Sequence, residues 1–209
     1  MNIVEFLYDL FELFENRAPR PTERVIELAE DGFYDGVVFH RVINNFVIQG
    51  GDPTGTGAGG STLGDFDDQF NLELQHNRTG VLSYAKSTDD TNDSQFFITE
   101  GPQRFLDFNH SVFGQLVEGE DNREAISNTA TNASDRPLNT ITIETASIFQ
   151  DNENGVVVLR GKQAGTSTIT VTVTDADVNS SSQSFVATVA EDNANGTPFL
   201  DDIGTVETD

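Results

Sequence analysis

The chain has 209 residues with 16 phenylalanines, no tryptophan, no cysteine and a formal charge of −24. That length suits one large domain or a medium domain with an appendage. The missing thiols exclude disulfides, thiolate nucleophiles and Cys-ligated zinc, and the acid excess excludes nucleic acid and anionic membrane surfaces as partners. The acid excess itself reads as a solvation device, suited to salty surroundings. No stretch reaches the roughly 20 consecutive apolar residues that span a bilayer, so no membrane insertion is expected.

The first residues, MNIVEFLYDLFELF, carry Glu5, Asp9 and Glu12 and lack a basic start, so they are not a signal peptide. The segment reads as strand through Phe14, although its spacing also accommodates a helix. Pro19 and Pro21 then introduce a short amphipathic helix over residues 22–30, closed at Gly32. A β-rich run from Val37 to Gln49 follows, then a glycine loop. Further strands are expected at residues 80–85, 95–99 and 112–117, a second helix within 122–128, and a closing strand at 140–144, where Thr and Ile alternate. Many short strands with two helices imply a closed barrel capped at its ends.

Composition shifts near residue 150. Residues 1–149 hold 14 of the 16 phenylalanines and all three histidines, whereas residues 150–209 turn to Thr, Ser, Val, Asp and Asn, with 10 acidic and 2 basic residues. Strands are expected there at 156–159, 168–174 and 184–189. A β-sandwich needs about seven strands over ~100 residues, so three amount to a partial one. The expected division is a first domain at 1–149 and a partial immunoglobulin- or cadherin-like β-module with an acidic tail at 150–209. Such a chain is expected to be part of a longer modular protein.

Several motifs lose their chemical reading on inspection. Gly55-Thr56-Gly57-Ala58-Gly59-Gly60 formally matches a dinucleotide-binding fingerprint. That fingerprint needs a helix N-terminus after it, and here an acidic stretch follows, so the glycines read as a loop needing positive φ. His40, His76 and His110 with Ser94 lack a nucleophile elbow. Asp175, Asp177 and Asn179, or Asp151 and Glu153, offer oxygens to Ca²⁺ but continue into no EF-hand loop, so they read as solvated turns. No metal and no cofactor is expected.

One run resists the bland reading. FHRVINNFVIQ, starting at Phe39, carries Arg41 and Gln49 among apolar neighbours. A buried strand excludes both, because desolvating a charge costs several kcal/mol, on the order of the penalty for unpaired buried ions. Either Arg41 stands at an edge in water, or Arg41 and Gln49 line a pocket where a guanidinium does chemistry.

The order of three segments bears on that choice. FHRVINNFVIQGGD (39–52), TNDSQFFIT (91–99) and FLDFNHSVFG (105–114) resemble, in order and in spacing apart from a shortened loop after Asp52, the signatures of the cyclophilin-type peptidyl-prolyl isomerases, a resemblance that covers roughly residues 10–147. The resemblance implies a mainly β fold, an eight-stranded antiparallel barrel capped by two helices. It also implies an enzyme that isomerises X-Pro bonds in polypeptides without a cofactor. Carried over, the catalytic set is Arg41, Phe46, Gln49, Phe97 and His110, and the substrate-binding set is Val47, Ala85, Lys86, Gln95, Phe105 and Leu106. Of these, Phe46, Val47, Phe97 and Leu106 form the proline pocket, with Gln49 and His110 at its rim. Phe105 stands where many eukaryotic members have Trp, Lys86 replaces a frequent Asn, and Val47 a frequent Met. The N-terminus before Phe11 is expected to fall short of a full first strand. The rival expectation is a non-catalytic extracellular peptide-binding or adhesion module on the same fold. The chain is expected to be a monomer, of bacterial type, and exported to the periplasm, cell surface or medium, with a cytoplasmic location left open.

Overall fold

The computed structural model describes residues 2–6, 9–150, 163–174, 178–190 and 199–200. Backbone packing divides the chain into two units, residues 1–156 and 157–209.

The first unit is mainly β with two helices. Its strands are β1 (Asn2–Phe6), β2 (Asp9–Leu13), β3 (Arg41–Ile43), β4 (Val47–Gly50), β5 (Thr79–Tyr84), β6 (Phe96–Glu100), β7 (Val112–Glu118) and β8 (Ala146–Gln150), with helices α1 (Pro19–Glu30) and α2 (Glu120–Ser127). They form one eight-stranded sheet in the order β3-β4-β6-β5-β7-β2-β1-β8. α1 starts a turn earlier than expected, since Pro19 and Pro21 fall in the first turn, where no intrahelical N–H partner is required.

The expected closed barrel is corrected to an open sheet, with β3 and β8 at its ends. Residues 140–144 do not form a closing strand; they meet the chain before β3 in an isolated bridge, Val38 opposite Thr142. Phe39 N–H donates to Ile141 O at 3.0 Å and Ile143 N–H to Val37 O at 2.8 Å. Beyond that bridge β3 is only three residues long, and its Val42 N–H donates to the Asp135 carbonyl at 2.8 Å. A turn therefore covers that edge. The N-terminus is also corrected: β1 does form, and it pairs with β8 from Asn2 opposite Gln150 to Phe6 opposite Ala146.

The run from Val37 to Gln49 is a hairpin rather than one strand. Asn45 adopts φ 62°, a left-handed conformation that Asn tolerates, and β3 folds back on β4 with Arg41 opposite Gln49. Strand alternation then separates two apolar clusters. Ile48, Phe96 and Ile98 join the main core with Phe11, Tyr34, Tyr84 and Phe113. The intervening Val47 and Phe97 face the other way and form a small second cluster with Leu106. In the main core, Tyr34 meets Phe96 edge-on at 5.7 Å, and Tyr84 lies 4.5 Å from Phe113. Each buried aromatic ring of this kind contributes roughly 1.5–3 kcal/mol.

The second unit contains β9 (Gly165–Thr174), β10 (Ser180–Ala190) and β11 (Phe199–Leu200), in the order β11-β10-β9. The expected partial sandwich is corrected to this three-stranded sheet among the described residues. One face carries a hydroxyl ladder, with Thr170–Ser184 and Thr172–Ser182 at 2.8 Å and Thr174–Ser180 at 2.9 Å. Such cross-strand pairs hold a hairpin together without a core. The other face is unevenly covered, with Val173 67% exposed and Ala187 buried. The strand expected at 156–159 and the acidic residues Asp151, Glu153, Asp175 and Asp177 lie outside the described residues.

Candidate active site

Antiparallel register sets the site. Arg41 on β3 lies opposite Gln49 on β4, Gln49 opposite Phe97 on β6, and Phe97 opposite Ser83 on β5. These residues form a row across the sheet, on the face away from the main core, at about 4.8 Å per strand.

The dry part of the site is Val47, Phe97 and Leu106, with Phe46 and Ala85 packed against them. Leu106 arrives from a single 3₁₀ turn, Arg104–Leu106. Behind Phe97, the fully buried His76 ring stacks at 5.7 Å and 20°. Its Nδ1 lies 3.1 Å from Asp107 Oδ1 and its Nε2 3.0 Å from Ser83 Oγ. A carboxylate only accepts, so Nδ1 carries the proton. Burial raises the Asp107 pKa, but hydrogen bonds from His76 and Arg104 outweigh it and hold the carboxyl below its ordinary value. His110 meets Phe97 edge-on at 5.4 Å, and its Nδ1 donates to the Tyr84 carbonyl at 2.9 Å, which leaves Nε2 as an acceptor. Burial pushes the His110 pKa down.

The polar part is open. The Arg41 side chain is 40% exposed, its Nε lies 3.7 Å from Asp135 Oδ2, and its guanidinium sits 6.0 Å from the centre of the Phe46 ring. Phe46 in turn stacks on Phe105 at 5.8 Å. Gln49 Nε2 donates to Gln95 Oε1 at 3.0 Å, and Gln95 Nε2 donates to the carbonyls of Gly57 at 3.1 Å and Gly59 at 2.9 Å. Those carbonyls belong to the glycine loop, which the buried Asp52 carboxylate holds by accepting from the N–H groups of Thr54 at 2.7 Å, Thr56 at 3.0 Å and Gly57 at 2.6 Å. Burial alone would raise the Asp52 pKa; hydrogen bonds from Gly59, Thr54 and Gly57 reverse this and hold it far below the usual carboxylate range. A Cβ at Gly59 would collide with that carboxylate, so the loop needs glycine there for close approach.

A cleft of about 500 Å³ adjoins this polar edge, between the glycine loop and residues Ala85 and Lys86. Lys86 does not reach across it. Its ammonium pairs with Asp68, and with Asp89 at 3.1 Å, and its side chain is 4% exposed. Burial lowers the Lys86 pKa, and the two carboxylates more than reverse that. These contacts place the eleven expected residues near one another, with the Lys86 side chain turned to Asp68 and Asp89. Among the described residues, no group of three or more His, Asp or Glu is placed to hold a metal ion.

Sequence reasoning missed His76, Asp107 and Ser83 as the support behind Phe97. Asp107 lies 31 residues from His76, and no periodic pattern links them.

The chain matches the family described as cyclophilin type peptidyl-prolyl cis-trans isomerase/CLD over residues 10–148. It belongs to the cyclophilin family. Among its relatives, the "Peptidyl-prolyl cis-trans isomerase ppi1" of Schizosaccharomyces pombe is 47% identical over 136 residues, covering 64% of this chain and 88% of the relative. A "Putative peptidyl-prolyl cis-trans isomerase" of Staphylococcus haemolyticus is 40% identical over 168 residues, covering 66% and 84%. A Cryptosporidium parvum cyclophilin, solved in the presence of the dipeptide Ala-Pro, superposes with a TM-score of 0.68 at 35% identity, covering 72% of this chain and 99% of that one. The cyclophilin unit is a peptidyl-prolyl cis–trans isomerase, and the rival reading as a non-catalytic module is not favoured.

Proposed function

We propose that this cyclophilin isomerises X-Pro bonds by clamping the proline ring on Val47, Phe97 and Leu106 while Arg41 donates to the twisting amide. The barrier is amide resonance, ~18–20 kcal/mol, and unaided rotation takes tens of seconds or longer. No bond is made or broken to a new atom, so the reaction calls for no cofactor. It calls for a still, desolvated proline and a donor placed where the twisted nitrogen regains its lone pair. Arg41 is a permanently charged donor with a planar fork. One charge-assisted hydrogen bond realised mainly in the twisted state is worth roughly 1.5–3 kcal/mol, or about 10- to 150-fold. The pocket supplies the rest.

The observation that carries this reading is the row of Arg41, Gln49 and Phe97 on adjacent strands, with the dry cluster at one end and a half-exposed guanidinium at the other. Gln49, Gln95 and the backbone near Ala85 and Lys86 hold the peptide on either side of the bond, Phe46 and Phe105 cover the ring, and His110 closes the rim. The Ala-Pro dipeptide present with the Cryptosporidium relative supports proline-containing polypeptides as the substrate class. We take the chain to act as a monomer and the second unit to belong to an exported, modular protein. Turnover of an X-Pro peptide, followed by a protease-coupled assay or exchange spectroscopy, tests the assignment. Robust turnover by wild type, lost with Arg41→Ala, is expected; binding without turnover would return the reading to a docking module.

A further inference from the structure

The partner of Arg41 stands on an unusually fixed turn. Asp135 has φ 61°, and its N–H donates to Asn132 O at 3.0 Å. Asn132 N–H donates back to Arg136 O at 2.8 Å, while Asn132 Oδ1 accepts from Ser134 N at 2.8 Å and Arg136 N at 3.2 Å. Two staples fasten this turn to the site. The Asp135 carbonyl accepts from Val42 N–H, the residue after Arg41, and Arg136 Nη1 donates to Gly55 O at 2.5 Å in the glycine loop. An exposed ion pair is normally weak because two long side chains must be ordered to make it. Here the acid is short and its backbone is already fixed. The pair is made through Nε, and the guanidinium carbon lies 6.0 Å from the centre of the Phe46 ring.

We propose that Asp135 is a positioning residue for Arg41: its carboxylate holds the Nε edge of the guanidinium so that the terminal N–H groups face the pocket of Val47, Phe97 and Leu106. This rests on the reading that Arg41 donates to the twisted amide. Positioning competes with a second effect, since a nearby negative charge also weakens the field that Arg41 exerts. In water-like surroundings that cost is small, because bulk water strongly screens a pair of unit charges even at close range. Orientation therefore dominates, and the effect falls on kcat more than on KM. It is also salt-sensitive, because the Debye length shrinks from ~10 Å at 0.1 M to ~3 Å at 1 M and both partners are open to solvent.

The test is Asp135→Asn, which keeps the left-handed turn and the carbonyl that holds Val42 while removing the charge. Asp135→Gly is the second variant, also at ease at this φ. With an uncharged X-Pro peptide, both are expected to lower kcat about 3- to 10-fold, with KM within twofold and the melting temperature unchanged. Wild-type kcat is expected to fall toward the variant value as NaCl rises to about 1 M, with the variants flat across that range. In an Arg41→Ala background, Asp135→Asn is expected to do nothing further. Unchanged or raised kcat in both variants, or parallel salt profiles, would overturn the inference. If Arg41→Ala itself turned over normally, the reading of Arg41 as donor would fail first; loss of activity in Arg41→Ala beside normal Asp135 variants would sink only the positioning role.

Discussion

Val47, Phe97 and Leu106 are only 3%, 4% and 7% exposed, whereas across the same pocket Phe105 is 70% exposed and the Arg41 side chain 40%. The two walls are also braced differently. The dry wall is supported from behind by aromatic stacking on a buried histidine, itself fixed by Asp107 and Ser83. The polar wall is tied sideways, by Gln49 to Gln95, by Gln95 to the glycine loop, and by Arg41 to the Asp135 turn. The proposed mechanism uses both, a dry clamp for the ring and a wet-edged donor for the nitrogen. Because the dry wall is continuous with packing, changing it should damage fold and function together. Changing the polar wall should damage function alone.

The largest expected effect is therefore Phe97→Ala. Large-to-small changes at buried aromatic positions cost about 3–5 kcal/mol of stability. The same truncation removes the clamp, and kcat/KM should fall on the order of 100-fold, equivalent to about 2.7 kcal/mol. Denaturant unfolding and peptide turnover on one preparation, at a temperature where the variant stays folded, measure both. A loss of activity without a loss of stability would break the contrast.

Arg41→Ala comes next and should separate the two quantities. The expected fall in kcat/KM is at least about tenfold, or 1.4 kcal/mol. Stability should stay within ±0.5 kcal/mol or so, as for surface positions generally. A large drop in melting temperature would mean that Arg41 is part of the packing rather than of the polar edge.

How much of this contrast was legible in the sequence follows from how local each feature is. Alternation along Val47-Ile48-Gln49 and Phe96-Phe97-Ile98 places Gln49 and Phe97 on one face, and the ordered signatures add Arg41, Leu106 and His110. Those signals are short-range or carried by the family resemblance. The closing strand was misread because Thr140 to Ile143 alternates correctly and even buries Ile143, yet only a bridge to Val38 was available to pair with it. β8 formed six residues later because its partner β1 exists, a fact the weak N-terminal pattern concealed. His76 and Asp135 left no signal at all. Their value comes from partners 31 and 94 residues away along the chain, Asp107 for His76 and Arg41 for Asp135.

His110 sits where the two walls meet, so its titration sharpens the contrast by a smaller amount. Burial lowers its pKa in the folded state, while the unfolded value stays near 6.5. A depressed folded pKa means that the folded state resists the proton. The associated stability is present above about pH 6.5 and is lost as pH falls through the folded pKa. His40, lowered by burial too, adds to the loss with the same sign. Protonating His110 also sets a charge edge-on against Phe97, so kcat/KM should decline over the same acidic interval. In His110→Gln, the activity decline should flatten while the His40 part of the stability decline persists. Identical pH–rate profiles in the two proteins would remove His110 from the pocket's function.

The smallest effect is expected from the second unit. The residues of both walls fall within residues 41–110, far inside the first unit, which ends at Val156. The hairpin of β9 and β10 holds itself together by backbone pairing and a Thr–Ser ladder, with Val173 and Val186 67% and 57% exposed. A two- or three-stranded sheet with open faces is marginal in water. Residues 150–209 also carry 10 acidic and 2 basic side chains, which adds self-repulsion to a thin core. A chain ending at residue 156 should therefore fold and turn over an X-Pro peptide within about twofold of the full chain's kcat/KM, a change worth only ~0.4 kcal/mol. The excised residues 157–209 should show no cooperative thermal transition by circular dichroism, and their flat Thr- and Val-rich strands should be prone to aggregate. A cooperative melt from that fragment would make it a domain in its own right. A large loss of turnover in the truncated chain would mean that the pocket has a third wall.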